Sequence, residues 1–461
     1  MKKNKQRIVG IVATLAVCAG IAVIGMTMGK EKAAVIMDSQ GEEIAKLAYQ
    51  EKEMLYSCKD GYESYIDLVC KEVVNLLEKQ ENCTEAEAQK KIVEEELQIT
   101  TFFDKASFQI LKETYEKSPI ANQKNYAAGI SDVQGHLKAS YSFHEGEEER
   151  NNLLISTYAG STIKPLTAYA PGIEEKKISW STMYEDSPYT QYTDEDGNLS
   201  DWPINTKPYT NEMVTVEEAL KESNNAVAVK ALKDFGVEKA CEYLEEKFGI
   251  SVEAEKKIIQ EEGEEKILGN LALGYLKGGV TIPQMISAYT AFANGGIVYP
   301  CRTVQQIQME GDRYYEKEAD GISAFSEETA FIMNRLLKHV VEDGGTGKDA
   351  QVKGLDICGK TGTSTKFLNN WFIGITPQYV CAVWYEADEN SYMRNETVPI
   401  FRSIMEEMPN DLNKRFPEAT HVEKRNYCKK TGLLATEYCE EQAEGYYHED
   451  SIPIQCNCSA Q

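Results

Sequence analysis

The sequence predicts an α+β fold carried behind a single transmembrane helix. Three observations point there. An uncharged run from Ile8 to Gly29 follows Lys2, Lys3, Lys5 and Arg7, and apolar residues recur at helical spacing from Tyr62 to Glu78. From Asn125 the texture then shifts to short strand-like segments and loops. A chain of 461 residues is long enough for two or three domains with a sizeable core. Its 49 basic and 74 acidic residues give a formal charge of -25, which argues against nucleic acid or an anionic lipid surface as the main partner.

The apolar run is about as long as a helix needs to cross a bilayer. The basic cluster before it predicts a cytoplasmic N-terminus and an external remainder. A cleaved signal peptide would show an A-x-A site, and none follows the run. A lipoprotein signal ending at Cys18 would put Val17 before the cysteine, and the apolar run continues past it. Beyond the anchor, Ala34 to Asp38 reads as a short strand entering a turn at Gln40-Gly41. Ile66, Leu68, Val69, Val73, Val74 and Leu77 line one helix face, and Thr84 with Glu87 forms a capping box for a second helix reaching about Leu97. Ile99 to Asp104 is strand-like and Ser107 to Glu116 helical.

Tyr126 to Ser131 and Leu137 to Tyr141 flank a glycine turn, as hairpin strands do. Glu145 to Glu149 is a solvated acidic loop, and Asp186 to Thr210 is a long surface excursion. Helices are expected over Val216 to Lys233, Glu238 to Phe248 and Ile282 to Asn294, the last closed by Gly295-Gly296. Asn370 to Ile375 and Tyr379 to Tyr385 form a strand hairpin around Thr376-Pro377-Gln378. No internal repeat or low-complexity tract occurs. The expected organisation is a cytoplasmic tail and anchor (1–30), a membrane-proximal helical linker module (31–124), a main domain (125–410) and a Cys-rich tail (411–461). Of 12 cysteines, Cys428, Cys439, Cys456 and Cys458 crowd that tail. Outside the cytoplasm such a cluster suggests disulfides, with a zinc knot, perhaps including His448, as the alternative.

Three short motifs carry chemistry. In Gly160-Ser161-Thr162-Ile163-Lys164 a serine and a lysine stand three apart, on one face if the segment is helical. A serine hydroxyl needs a neighbouring base, and a desolvated lysine amine can serve. If Ser161 opens the helix, nearby backbone N–H groups also favour developing negative charge. Within the run Val216 to Lys233, Ser223 and Asn225 offer a hydroxyl and a carboxamide to relay a proton and hold an amide. Gly359-Lys360-Thr361-Gly362-Thr363 is the third. Gly354 to Thr361 also fits the P-loop pattern G-x-x-x-x-G-K-[ST], but a P-loop must run from a strand into a helix, and strand-like residues follow here. On a strand, Lys360 offers positive charge to a carboxylate, and the small Thr361, Gly362 and Thr363 let substrate lie along the edge. The Thr363 N–H with that of Ser161 would make an oxyanion hole. With 5 histidines and none in a triad context, His-based catalysis competes poorly.

Ser-x-x-Lys, then Ser-x-Asn, then Lys-Thr-Gly is the serine–lysine signature of penicillin-binding proteins and active-site serine β-lactamases. The chain resembles the transpeptidase half of a class A penicillin-binding protein, from about Tyr62 onward. Thr100-Thr101-Phe102-Phe103-Asp104 with Gln109, Trp202-Pro203-Ile204-Asn205 and Leu271-Ala272-Leu273-Gly274 are similar to further stretches of that module. So are Ser287 to Gly296 and Cys428 to Thr436. Two departures stand out: no glycosyltransferase motif precedes the module, and Ala159 replaces the usual proline before Gly160.

The resemblance implies an antiparallel sheet flanked by helices, in a bacterial cell-membrane protein with its catalytic domain outside. It implies a D,D-transpeptidase that cross-links peptidoglycan stem peptides through a serine acyl-enzyme and is inhibited by β-lactams. Ser161 would be the nucleophile, Lys164 its base and Ser223 the proton relay. Asn225, Lys360, Thr361, Gly362 and Thr363 would bind substrate. No cofactor or catalytic metal is implied, and a separate glycosyltransferase is the expected partner. A β-lactam sensor or inactive cell-wall scaffold is the alternative, followed by a D,D-carboxypeptidase or a β-lactamase. For the β-lactamase, Glu265-Lys266-Ile267-Leu268-Gly269 approaches E-x-x-L-N but lacks the asparagine.

Overall fold

The computed structural model describes residues 6–8, 32–121, 123, 125–146, 150–193, 197–309, 312–315, 320–364, 368–387 and 395–458. The described residues divide into two units: Met1–Gln109, His136–Ser142 and Arg302–Glu318 in the first, and Ile110–Gly135, Phe143–Cys301 and Ala319–Gln461 in the second. The expected anchor, Ile8 aside, lies outside the described residues. Among those described, no helix is long and apolar enough to cross a membrane.

The first unit corrects the expected helical linker, because a sheet organises it. Glu53–Cys58, Glu43–Gln50, Ala34–Met37, Gln98–Thr101 and Val304–Met309 lie in that order, with Gln6–Ile8 and Asp312–Tyr315 at the edges. The hairpin of Glu43–Gln50 and Glu53–Cys58 was not legible in the sequence. Its two-residue turn, Glu51-Lys52, has both φ values positive (52° and 71°), a geometry normally signalled by Asn-Gly, which is absent here. The helical expectations do better. Glu63–Glu81 buries Ile66, Val69, Val73 and Leu77, and the Thr84–Glu87 capping box opens Glu85–Glu94. That second helix stops short of Leu97 because Glu96 turns left-handed (φ 52°) and the chain enters the strand Gln98–Thr101.

The second unit holds β1 (Asn125–Asp132), β2 (Cys358–Thr363), β3 (Asn369–Ile375) and β4 (Tyr379–Glu386). They pair antiparallel in the order β2–β3–β4–β1, so β2 is an edge. The β3–β4 turn closes with Thr376 N–H donating to the Tyr379 carbonyl (2.8 Å). Because strand side chains alternate, β3 sends Phe372 to one face, against Phe401 of the helix Thr397–Glu407. Trp371 faces the other way, where the helical segment Gly160–Glu174 lies against Gly362. Since the next element after β2 is the strand β3, with no helix between them among the described residues, the P-loop reading fails.

The expected single helix Val216 to Lys233 is two, α1 (Val216–Glu222) and α2 (Asn225–Phe235), parted at Ser223. The helix starting at Ile282 ends at Thr290, earlier than expected. The Cys-rich tail forms an antiparallel hairpin, Val422–Cys428 with Gln442–His448. It docks on the second unit through Tyr447, whose hydroxyl donates to Ser181 Oγ (2.8 Å), and through His448, whose Nε2 meets Thr329 Oγ1 (2.9 Å).

Candidate active site

Ser161 sits in the first, tightly wound turn of the segment Gly160–Glu174, which is 3₁₀ over Gly160–Ile163 and widens to a π turn over Pro165–Tyr169. The Lys164 N–H closes this turn on the Ser161 carbonyl, and residues three apart in a 3₁₀ turn share one face. Gly160 carries a positive φ of 55°, and a Cβ there would lie 2.9 Å from both the N and O of Thr363. A Cβ on Gly274, also left-handed, would meet the Gly160 carbonyl at 2.2 Å. Glycine at these positions lets the turn lie flat between the Gly274 loop and the β2 edge. Trp371 pins the approach by donating Nε1–H to the Tyr158 carbonyl (3.0 Å).

Ladder alternation fixes the direction of the edge groups. The Ser364 N–H bonds across to the Asn369 carbonyl (2.9 Å), so the N–H and C=O of Thr363, one residue earlier, point away from β3. They point towards Gly160. Thr361 turns its hydroxyl to Thr346 Oγ1 (2.7 Å).

Lys164 is fully buried and donates Nζ to the Ser223 carbonyl (2.8 Å), the Asn224 carbonyl (3.3 Å) and Asn225 Oδ1 (2.7 Å). Burial, helped by the charge of Lys360, holds its pKa well below the ordinary lysine range. Lys360, equally buried, is pushed down to about 7 by desolvation. Its Nζ donates to Ser223 Oγ (2.9 Å) and to the Thr361 carbonyl (3.1 Å). Ser223 Oγ is also 3.5 Å from Lys164 Nζ, which places one hydroxyl between two buried amines. Ser223 reaches that point in the left-handed region (φ 62°, ψ 36°), where it ends α1. A side chain held there at a cost in backbone energy is a mark of functional positions.

Two residues that sequence reasoning passed over hold the Ser-x-Asn corner in place. Asp186 opens the expected surface excursion but is itself buried. Its Oδ1 accepts from Asn205 Nδ2 (2.8 Å) and Asn224 Nδ2 (2.7 Å), and its Oδ2 from Thr210 N (3.0 Å) and Oγ1 (3.1 Å). Burial pushes its pKa up, but the hydrogen bonds from Asn224, Thr210 and Asn205 outweigh this and hold it below the usual carboxylate range. Asn205 Oδ1 in turn caps α2 by accepting from Asn225 N (2.9 Å) and Ala226 N (3.1 Å). Asn225, predicted to face substrate, already spends Nδ2 on the Ile204 carbonyl (2.7 Å) and Oδ1 on Lys164. The only advance signal of this network was the Trp202-Pro203-Ile204-Asn205 stretch. Nothing local marks Asp186, because its partners come from distant segments.

All eight predicted site residues thus belong to the second unit, gathered where β2, the Ser161 turn and the α1–α2 corner meet. A serine over a buried lysine, facing a sheet edge that carries Lys-Thr-Gly, defines the penicillin-recognising class of serine proteins. The family model described as the penicillin binding protein transpeptidase domain matches residues 101–406, and the chain belongs to that family. It is similar to Penicillin-binding protein 1A of Clostridium botulinum (strain Langeland), at 32% identity over 56% of this chain and 30% of the relative. Penicillin-binding protein 1A of Clostridium acetobutylicum is 28% identical over 78% of this chain and 46% of the relative. The chain therefore spans less than half the length of these relatives. Among solved structures, the D,D-transpeptidase domain of a peptidoglycan glycosyltransferase from Eggerthella lenta superposes with a TM-score of 0.60 at 19% identity, covering 82% of this chain and 98% of that one. That last likeness bears on the fold alone.

Proposed function

We propose that the protein is a D,D-transpeptidase that cross-links peptidoglycan stem peptides through an acyl-enzyme on Ser161. The observation that carries this reading is the pair of buried lysines sharing the Ser223 hydroxyl, one of them three residues after Ser161. A neutral Lys164 amine has two hydrogens and one lone pair. In that state the two shortest bonds, to the Ser223 carbonyl and Asn225 Oδ1, take both hydrogens, the longer approach to the Asn224 carbonyl (3.3 Å) carries none, and the lone pair is left for the Ser161 proton. Burial supports that neutral state.

Ser161 Oγ attacks the penultimate D-Ala carbonyl, and the N–H groups of Ser161 and Thr363 stabilise the oxyanion. As the C–N bond breaks, the proton held on Lys164 passes through Ser223 to the leaving D-Ala amine. Lys360 and Thr363 hold the terminal carboxylate, whose approach favours the charged form of Lys360. An amine of a neighbouring stem then attacks the ester, forms the cross-link and frees Ser161. In this reading Asn225 acts chiefly by holding Lys164, a shift from the substrate-amide role expected of it.

We place the catalytic unit on the outer side of a bacterial cell membrane, tethered through the N-terminal apolar run and working beside a separate glycosyltransferase. The domain scheme we favour follows the two structural units, with the C-terminal hairpin as part of the second. A β-lactamase would need a second base for water. Glu265, the residue nearest that pattern, is instead ion-paired to Lys233 (2.5 Å) with its side chain 58% exposed.

The test is time-resolved intact mass spectrometry of the full chain with a penicillin, beside Ser161→Ala, followed by D-Ala release from a stem-peptide pair. A persistent adduct on Ser161, absent from the variant, with D-Ala release and cross-linked product, is expected. Adduct without D-Ala release would make the protein a sensor, and D-Ala release without cross-link a carboxypeptidase. Rapid penicillin hydrolysis would make it a β-lactamase. An unmodified chain with intact penicillin would remove Ser161 as nucleophile.

A further inference from the structure

A second constellation lies in the C-terminal hairpin, and the transpeptidase reading does not use it. Cys428 ends the strand Val422–Cys428, Cys439 lies in the loop before Gln442, and Cys456 and Cys458 come from the last described segment. Their four Sγ atoms all lie within 4.8 Å of one another, and Cys428, Cys439 and Cys456 are buried. We propose that these four thiols bind one zinc ion as a closed, structural tetrathiolate site.

The geometry is that of ligands around a common centre. Four sulfurs at the usual zinc–sulfur bond length of about 2.3 Å stand about 3.8 Å apart at tetrahedral corners, close to the spread found here. Two disulfides would instead split the cluster into bonded pairs, and none of the four cysteines is disulfide-bonded. The expectation of disulfides from sequence is thereby set aside. Cys70, Cys83, Cys241, Cys358 and Cys381 likewise stand outside any disulfide.

The surroundings suit metal-bound thiolates. Cys439 Sγ accepts from the Thr436 backbone N–H (3.3 Å), and Cys456 Sγ accepts from Thr431 Oγ1 (3.3 Å). Donors aimed at sulfur in this way orient and stabilise a coordinating thiolate. Leu433 and Ala435 pack on the cluster. His448, the extra ligand considered from sequence, bonds Thr329 and is not part of the cluster.

The site also meets a structural need. The segment from Val422 onward is a two-stranded hairpin and a trailing strip joined by few bonds, among them Cys456 N to the Leu434 carbonyl (2.8 Å) and Leu434 N to the Ile454 carbonyl (3.0 Å). A two-stranded hairpin has little core of its own, and a metal adds a cross-link between it and the trailing strip. Binding consists of four thiols releasing their protons as four Zn–S bonds form. With all four positions filled by protein, no open site is left for catalysis.

The test uses the full chain purified without chelator. Elemental analysis should find one zinc per chain, falling to near zero in the double variant Cys456→Ser, Cys458→Ser. If that variant fails to fold, cobalt exchanged into the wild-type chain provides a second readout, and the intense visible bands of tetrahedral tetrathiolate cobalt are expected. Zinc at one per chain that survives the double substitution would overturn the proposal. So would four cysteines found as disulfides by non-reducing peptide mapping, or free thiols with no bound zinc or cobalt. None of these readouts depends on Ser161 or on β-lactam binding, so the two proposals stand or fall separately.

Discussion

Asp186→Asn tests whether the reactive corner is held from behind. The carboxylate accepts four hydrogen bonds, two on each oxygen. An asparagine keeping its oxygen towards Asn205 and Asn224 turns an NH₂ on the Thr210 N–H, so donor faces donor. Flipped, it loses the Asn205 and Asn224 bonds instead. With the oxygen towards Asn205 the Thr210 hydroxyl can turn to accept from the NH₂, so one or two bonds go outright and the others lose their charge assistance, together about 3–4 kcal/mol, partly offset because a neutral group is cheaper to bury. The net cost is about 2–3 kcal/mol, which for a unit of this size corresponds to a fall of roughly 3–5 °C in Tm. Because Asn224 adjoins both Ser223 and Asn225, a shift of even about 1 Å should slow β-lactam acylation by roughly 10- to 100-fold. The native pKa of Asp186 is depressed, so its contribution is complete above the unfolded value of about 3.9 and is lost as pH falls through the native value. The stability gap between wild type and variant should therefore be constant at neutral pH and close only in acid. Thermal unfolding and acylation kinetics at pH 7 decide it. A Tm within about 1 °C of wild type with unchanged acylation would refute the claim that this carboxylate organises the site.

Removing the Lys360 charge, as in Lys360→Met, takes away a cation that lowers the Lys164 pKa. The rising limb of the acylation pH profile should then move to higher pH, whatever happens to the maximal rate, and an unmoved limb would show that the two amines are uncoupled. Gly274→Ala brings a methyl to 2.2 Å from the Gly160 carbonyl. Penicillin adduct formation should drop at least ~100-fold, because nucleophile and oxyanion donors separate; normal labelling would contradict the packing. Ser223→Gly and Ser223→Ala both lose the hydroxyl and should both slow turnover. The glycine variant should be the more stable by about 1 kcal/mol, since only it escapes the left-handed penalty. Equal denaturation midpoints would place the strain elsewhere.

Much of the second unit was readable because its signals are local. The Thr376–Gln378 turn sits between two continuous apolar runs, and both became buried strands. The three motifs named the site residues because each is a short, ordered string. What resisted was information held in backbone sign or distant partners. The Glu51-Lys52 turn lacks the residues that usually mark it, so a hairpin passed for linker. Ser223 interrupts a run of good helix formers with no glycine or proline to announce it. Asp186 looked like loop polarity, yet it gathers groups from Asn205, Thr210 and Asn224.

The position of β2 at the rim of its sheet has a bearing on solubility. An unroofed strand edge is where copies of a protein pair with one another and begin to aggregate. Here the catalytic parts do the roofing. The Ser161 turn lies against Thr363, and Lys360 Nζ donates to the Thr361 carbonyl. Two of the six residues of β2 are glycines, with no side chains to fend off a neighbour. Damage to the Gly160–Thr363 contact would therefore uncover a bare, glycine-rich edge, and the loss would surface as intermolecular strand pairing before it surfaced as unfolding.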